Sequence, residues 1–144
     1  MERRNFLRVG GLVCMAGVAL SAGLVGCAGA RYIDGTIEGE DLRIPLTSLK
    51  SEDGSPLKHV LVRHVSLKWP VALYAAGDGT YRALLMRCTH QNAQLKAGDG
   101  ELTCLAHGSA FSSDGAVTSG PAEQPLRRFP TRLQGDQLLI SLKA

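Results

Sequence analysis

The chain has 144 residues, 44% hydrophobic and 20% charged, which suffices for one modest core and one domain. Its net charge is +3, and Arg3, Arg4 and Arg8 against Glu2 supply +2 of that at the N-terminus; the remainder carries 13 basic and 12 acidic groups. No basic stripe is left to suggest nucleic acid, and 17 Gly with six Pro suit a turn-rich β protein.

Residues 2 to 8 read Glu-Arg-Arg-Asn-Phe-Leu-Arg. The pair Arg3-Arg4 followed by x-Phe-Leu resembles a twin-arginine export signal. An uncharged apolar stretch of 18 residues follows, from Val9 to Gly26, with five glycines in it. It ends Leu24-Val25-Gly26-Cys27, which resembles the lipobox before the lipid-modified cysteine of a bacterial lipoprotein. The expectation is a signal peptide over residues 1–26 and a mature domain over 27–144, lipid-anchored through Cys27. The alternative is an uncleaved membrane anchor, for which this stretch lies at the short edge of a spanning helix and is weakened by its glycines. Arg31, Asp34, Glu38, Glu40 and Asp41 mark the start of the solvated domain.

Beyond Cys27 the apolar residues alternate with the period of strands. Arg31 to Glu38 and Leu42 to Leu46 read as the first strands, and Ser51-Glu52-Asp53-Gly54-Ser55-Pro56 as a turn cluster. His59 to Val65 follows, with Val60 and Val62 on one face and Leu61 and Arg63 on the other. Val71 to Ala75 and Tyr81 to Met86 flank Gly77-Asp78-Gly79, a hairpin signal, and the second of them leads into Cys88. Asp99-Gly100 and Asp114-Gly115 close two further turns, before Glu101 to Cys104 and before Ala116-Val117. Leu126 to Arg132 and Gln137 to Leu142 read as a final pair around Gly135-Asp136. No helix of any length is expected after the signal. Short strands at regular spacing predict an all-β fold, an antiparallel sandwich or barrel.

Of the four cysteines, Cys14 lies in the apolar stretch and Cys27 is the lipid candidate, so Cys88 and Cys104 remain. Each has a histidine just downstream: Cys88-Thr89-His90, then thirteen residues, then Cys104-Leu105-Ala106-His107. Two thiolates and two imidazoles can hold zinc or an iron–sulfur centre. Zinc modules usually pair Cys with Cys and His with His, whereas each pair here is mixed. The flanks carry more: His107-Gly108-Ser109-Ala110-Phe111, then Asp114-Gly115, then Gly120-Pro121-Ala122. The pattern C-x-H … C-x-x-H-G-S-x-F … D-G … G-P-A, about a quarter of the chain, resembles the Rieske [2Fe–2S] family.

That resemblance implies a Rieske-like β base into which a small cluster-binding subdomain, about residues 87–125, is inserted. It implies a [2Fe–2S] cofactor, with Cys88 and Cys104 on the inner iron and His90 and His107 on the outer one. Such ligation raises the potential to roughly −150 to +300 mV. The imidazole nitrogens away from the iron would face solvent, where loss of their protons would couple to oxidation. Among residues that tune the cluster, Gly108 would let the backbone approach it and Ser109 would donate to a bridging sulfide. Pro121 would stiffen the covering loop. Phe111 stands where high-potential members have Tyr, and Ala93 and Ala106 stand where they have disulfide cysteines. Gln91 and Asn92 make the loop tip more polar than in many relatives.

These features imply single-electron transfer with a cytochrome or an oxidoreductase subunit as partner. A twin-arginine route carries folded proteins, which suits a cluster loaded inside the cell. The expected place is the outer face of a bacterial cytoplasmic membrane, or its periplasm. A quinol-oxidising subunit of a cytochrome complex with an uncleaved anchor is the competing function, and a structural zinc protein a third. No catalytic Ser/His/Asp constellation or nucleotide loop stands out. His59 and His64 lack cysteines at useful spacing and read as ordinary strand histidines.

Overall fold

The apolar residues of β4 (His59–Arg63) and β5 (Val71–Ala76) form continuous runs that point alternately to the two faces of their sheet, and nearly all of them are buried because this sheet is covered on both faces. The computed structural model describes residues 29–143. Before β4 come β1 (Tyr32–Asp34), β2 (Thr36–Glu38), β3 (Asp41–Pro45) and one 3-10 turn (Leu46–Leu49). After β5 come β6 (Thr80–Leu85), β7 (Lys96–Ala97), β8 (Glu101–Thr103), β9 (Ala110–Ser112) and β10 (Val117–Ser119). β11 (Arg128–Phe129), β12 (Thr131–Gln134) and β13 (Gln137–Ser141) close the chain. Among the described residues no helix is long and apolar enough to cross a membrane.

Three sheets result. The central one has the order β1-β4-β5-β6-β11; the others are β10-β9-β8-β7 and β12-β13-β3-β2. Leu61, Ala72, Tyr74, Leu84 and Met86 on one face of the central sheet pack with Leu95, Leu102 and Phe111, under the β7–β10 sheet. Val60, Val62, Val71, Leu73 and Ala83 on the other face pack with Leu42, Ile44, Leu138 and Ile140. Since β6 and β11 pair with each other, the whole β7–β10 sheet is an insertion between two neighbouring strands. The all-β expectation therefore holds, including a base formed by both flanks.

Two expected strands are each divided between sheets. The stretch Arg31 to Glu38 breaks at Gly35: β1 joins the central sheet and β2 the third. A methyl at Gly35 would sit 2.6 Å from Leu42 Cδ1 and 3.1 Å from Val62 Cγ1, so the crossing needs a residue without a side chain. Likewise Leu126 to Arg132 breaks at Pro130, which has no N–H to continue a ladder. β1 also runs parallel to β4, an exception to the antiparallel pattern expected. The strand expected from Leu42 to Leu46 ends at Pro45, where the 3-10 turn takes over.

Tyr74 fastens the inserted sheet to the base. Its hydroxyl donates to Gly98 O at 3.0 Å and to Glu101 O at 3.2 Å, which flank the Asp99-Gly100 turn between β7 and β8. Burial, and then the negative charges of Asp99 and Glu101, push its pKa up to about 12. The raised pKa means that the fold favours the neutral phenol, so this stabilisation is complete below about pH 10 and is lost as pH rises through about 12. Tyr74→Phe is expected to cost about 1 kcal/mol at neutral pH. It should also flatten the alkaline loss of stability, as read by denaturant midpoints measured from pH 9 to 12.

Candidate metal centre

The two Cys/His pairs sit in loops built on one backbone frame. In the first, Cys88 N–H donates to Ala93 O at 2.8 Å and Asn92 N–H donates to Cys88 O at 2.9 Å. In the second, Cys104 N–H donates to Ser109 O at 2.7 Å and Gly108 N–H donates to Cys104 O at 2.9 Å. The residue four places after each cysteine has a left-handed φ, +56° at Asn92 and +75° at Gly108. Asn is the residue after Gly that tolerates this region best. The polarity of Asn92 thus has a backbone cause, which the sequence reading of a polar tip missed.

The frame sorts the four candidates by solvent. Cys88 and Cys104 are buried in the same core as Phe111, while His90 and His107 are exposed. The two thiols are within hydrogen-bonding reach of each other. The two imidazole rings lie edge to face, their centroids 5.1 Å apart. Burial raises the Cys88 pKa, but donors outweigh it and leave the thiol below its usual value. These are the N–H of His90, the Cys104 thiol, the N–H of Gln91 and the Ser109 hydroxyl. The loop is therefore prepared for a thiolate at Cys88.

A third segment holds the loops together. Ser109 is fully buried, and its Oγ accepts from Ala122 N–H at 3.1 Å while its hydroxyl faces the Cys88 sulfur. The Thr89 hydroxyl donates to Gln124 O at 2.7 Å. Gly120, which sequence reasoning treated only as part of the covering loop, is pressed onto the second loop. A Cβ there would lie 2.5 Å from Ser109 Cα and 2.6 Å from Gly108 O. Pro121 is exposed beside it. Phe111 is fully buried, so its ring fills the core beneath the cysteines without a hydroxyl. Ala93 and Ala106 supply no thiol, and Cys88 and Cys104 are free.

Other sequence expectations shift. The tip is not wholly polar, since Leu105 is 79% exposed between Cys104 and His107. His59 and His64 stay outside the centre. His64 Nδ1 accepts from Ser66 N–H, whereas His59 stacks on Tyr74, pairs with Asp99 at 3.2 Å through Nδ1, and has a buried Nε2 without a partner. It is therefore only half satisfied. Arg3, Arg4 and Cys27 lie outside the described residues.

Among the described residues, no three His, Cys, Asp or Glu side chains converge on one point where they could hold a single ion. Two buried sulfurs on one side and two exposed imidazoles on the other suit a centre with two metal positions, one thiolate-bound and one imidazole-bound. The frame itself is testable. Gly120→Ala combines a left-handed φ of +86° with backbone overlap, and should cost at least about 2 kcal/mol. Thermal unfolding checks this, and amide exchange at Gly108 and Ser109 should rise first.

The Rieske [2Fe-2S] domain family model matches residues 49–130, more than half of the chain. The cytochrome b6-f complex iron-sulfur subunit of Chlorobaculum thiosulfatiphilum is 31% identical over 65 residues, 44% of this chain and 36% of that protein. This chain thus spans little more than a third of that relative's length. The 3-phenylpropionate/cinnamic acid dioxygenase ferredoxin subunit of Shigella boydii is 31% identical over 77 residues, 50% of this chain and 72% of the relative. The plasma membrane Rieske protein of Synechocystis PCC 6803 superposes with a TM-score of 0.51 at 26% identity, covering 58% of this chain and 86% of that one. Family match, inserted sheet and paired Cys/His loops agree: the chain belongs to the Rieske [2Fe–2S] domain family, and its cofactor is a [2Fe–2S] cluster.

Proposed function

We propose that this protein transfers single electrons as a membrane-tethered exported protein, with a cytochrome or a larger oxidoreductase as its partner. Cys88 and Cys104 hold the inner iron and His90 and His107 the outer one. The observation that carries this reading is the pair of buried thiols set against a pair of exposed imidazoles 5.1 Å apart. When bound, the cluster supplies a one-electron couple. The chain does the rest. Cys88 and Cys104 meet inside the core, where the N–H groups of His90 and Gln91 already point at the Cys88 sulfur. Ser109 adds a hydroxyl donor at the same sulfur, and such donors favour the reduced, more negative state. Gly108 keeps the second loop free of a side chain beside His107. Phe111 adds no donor, and no disulfide braces the loops, which together suit an intermediate potential.

Export and anchoring rest on Arg3-Arg4, the apolar stretch to Gly26, and Cys27. Cleavage before Cys27 leaves a domain of residues 27–144, with the cluster-binding part at about 87–125, on the outer face of the cytoplasmic membrane. A second reading, the quinol-oxidising subunit with an uncleaved anchor, is favoured by one observation: Leu105 offers an apolar side chain beside His107.

The ligand set is tested on purified protein by iron, acid-labile sulfide and zinc content together with visible absorption. The expected result is two irons and two sulfides per chain. Cys88→Ala, Cys104→Ala or His107→Ala should each lose more than about 90% of the bound iron, because a cluster missing one ligand is not retained. One zinc per chain and a colourless protein would contradict the assignment.

A further inference from the structure

Four cations without a carboxylate partner gather where β6 leaves the central sheet toward Cys88. Lys68, Arg87, Arg127 and Arg128 are exposed, and none of them makes an ion pair among the described residues. Two backbone hydrogen bonds bring them to one end of that sheet. Met86 N–H donates to Pro70 O at 2.9 Å, and Leu85 N–H donates to Arg127 O at 2.9 Å. Arg87 follows Met86, Lys68 stands two residues before Pro70, and Arg128 follows Arg127. Arg87 also pairs with Gln94 at the foot of the loop that carries Cys88 and His90. The three segments are far apart in the chain, so no basic run marks this rim in the sequence.

The neighbouring acids do not neutralise the rim. Asp34 is paired with Arg63, and Glu40 with Lys143. Of the carboxylates without an ion pair, Asp78 lies in the β5–β6 turn at the opposite end of the sheet, while Glu123 lines a hollow with Thr89 and His90. Aromatic rings hold two of the cations instead. The Lys68 ammonium sits 5.2 Å from the centroid of the Trp69 ring, and the Arg127 guanidinium 4.7 Å from that of Phe129. Arg127 also donates to Leu142 O at 3.3 Å, a neutral acceptor. A ring face fixes a cation through its quadrupole and leaves the full positive charge in place. An anionic surface therefore meets cations that are already positioned, with less side-chain freedom left to lose.

We propose that this rim docks the carboxylate-rich face of a one-electron carrier protein. The proposal rests on the electron-transfer reading above and adds to it the sign of the partner's charge. Opposite charges steer the encounter over about one Debye length, roughly 8 Å at physiological salt. Arg87 adjoins Cys88, so a partner seated on the rim brings its own redox centre beside the first ligand loop. One electron passes between that centre and the cluster, one being oxidised as the other is reduced, and no atom is transferred. Their place beside a ligand loop favours a carrier over an anionic bilayer, whose headgroups exchange no electron.

The test uses the full-length, cluster-loaded chain in neutral detergent, reduced in a stopped-flow cell by plant-type ferredoxin, an acidic carrier with a potential of about −400 mV. The second-order rate should fall about tenfold between about 20 and about 300 mM salt. Lys68→Glu with Arg87→Glu should lower the low-salt rate about tenfold and flatten that dependence. Lys68→Ala with Arg87→Ala should show part of the same loss. The control is Arg31→Glu with Lys50→Glu, an equal change of charge at two exposed residues. Arg31 lines a hollow with Leu57 and His59 at the start of β4, and its guanidinium donates to Lys50 O. That pair should stay within about twofold of the native rate. Visible spectra and midpoint potentials, measured on every variant, place the rates at equal cluster content and equal driving force. A native rate that ignores salt, or equal losses in both charge-reversed pairs, overturns the proposal. Trp69 is the chain's one tryptophan, so its quenching by brominated phosphatidylglycerol vesicles reports lipid at the rim. Loss of that quenching in the Lys68/Arg87 pair, with the ferredoxin rate unchanged, makes the rim a lipid surface and overturns the carrier. A native chain without a [2Fe–2S] spectrum removes instead the electron-transfer reading beneath the proposal.

Discussion

Each ligand loop closes on the backbone of its own cysteine, and the site depends on that closure. The N–H of Cys88 or Cys104 reaches forward five residues, and the carbonyl of the same cysteine takes the N–H four residues on. This frame leaves the cysteine side chain inside the core and the histidine outside it. It also needs a left-handed residue at the fourth place, and the two loops meet that need differently, with Asn92 in one and Gly108 in the other. In the first loop the N–H groups of His90 and Gln91 help hold the Cys88 thiol below its usual value. Preorganised donors of this kind favour the reduced state because no reorientation accompanies the added charge.

The rest of the fold serves to bring two such loops together. The first joins β6 of the central sheet to β7, the second joins β8 to β9 within the inserted sheet, and that sheet is fixed to the base by an apolar face and by the Tyr74 hydroxyl. The covering segment from Gly120 to Gln124 then bridges both loops: Gln124 to Thr89 in the first, Ala122 to Ser109 in the second. Without a disulfide, these two bonds and the backbone contact at Gly120 carry the alignment.

Much of this was legible in the sequence, for identifiable reasons. Strand period, the Gly77-Asp78-Gly79 turn and the run from Tyr81 into Cys88 depend on local patterns, and they appear where the patterns put them. The mixed Cys/His spacing with Gly108, Ser109 and Gly120-Pro121-Ala122 pointed to the cofactor because glycine, hydroxyl and proline positions are as specific as ligands. What local pattern could not carry is which sheet a strand joins. Gly35 and Pro130 sit inside stretches that read as single strands, and only the packing against Leu42 and Val62, or the missing N–H, divides them. Asn92 read as a polar tip because its side chain was visible in the sequence and its φ was not. Gly120 gave a glycine signal, but the close approach that requires it comes from a segment eleven residues earlier. Leu105 was passed over because a single leucine between two ligands has no period to mark it.

The central claim is that two histidines bind one iron of the cluster and two cysteines the other. It is tested most directly by pulsed electron–nuclear resonance on the reduced protein, prepared with ordinary and with ¹⁵N-labelled histidine. The account predicts two nitrogen couplings on the ferrous iron, both of which change with the label. A reduced cluster without histidine nitrogen couplings, as four cysteine ligands would give, contradicts it.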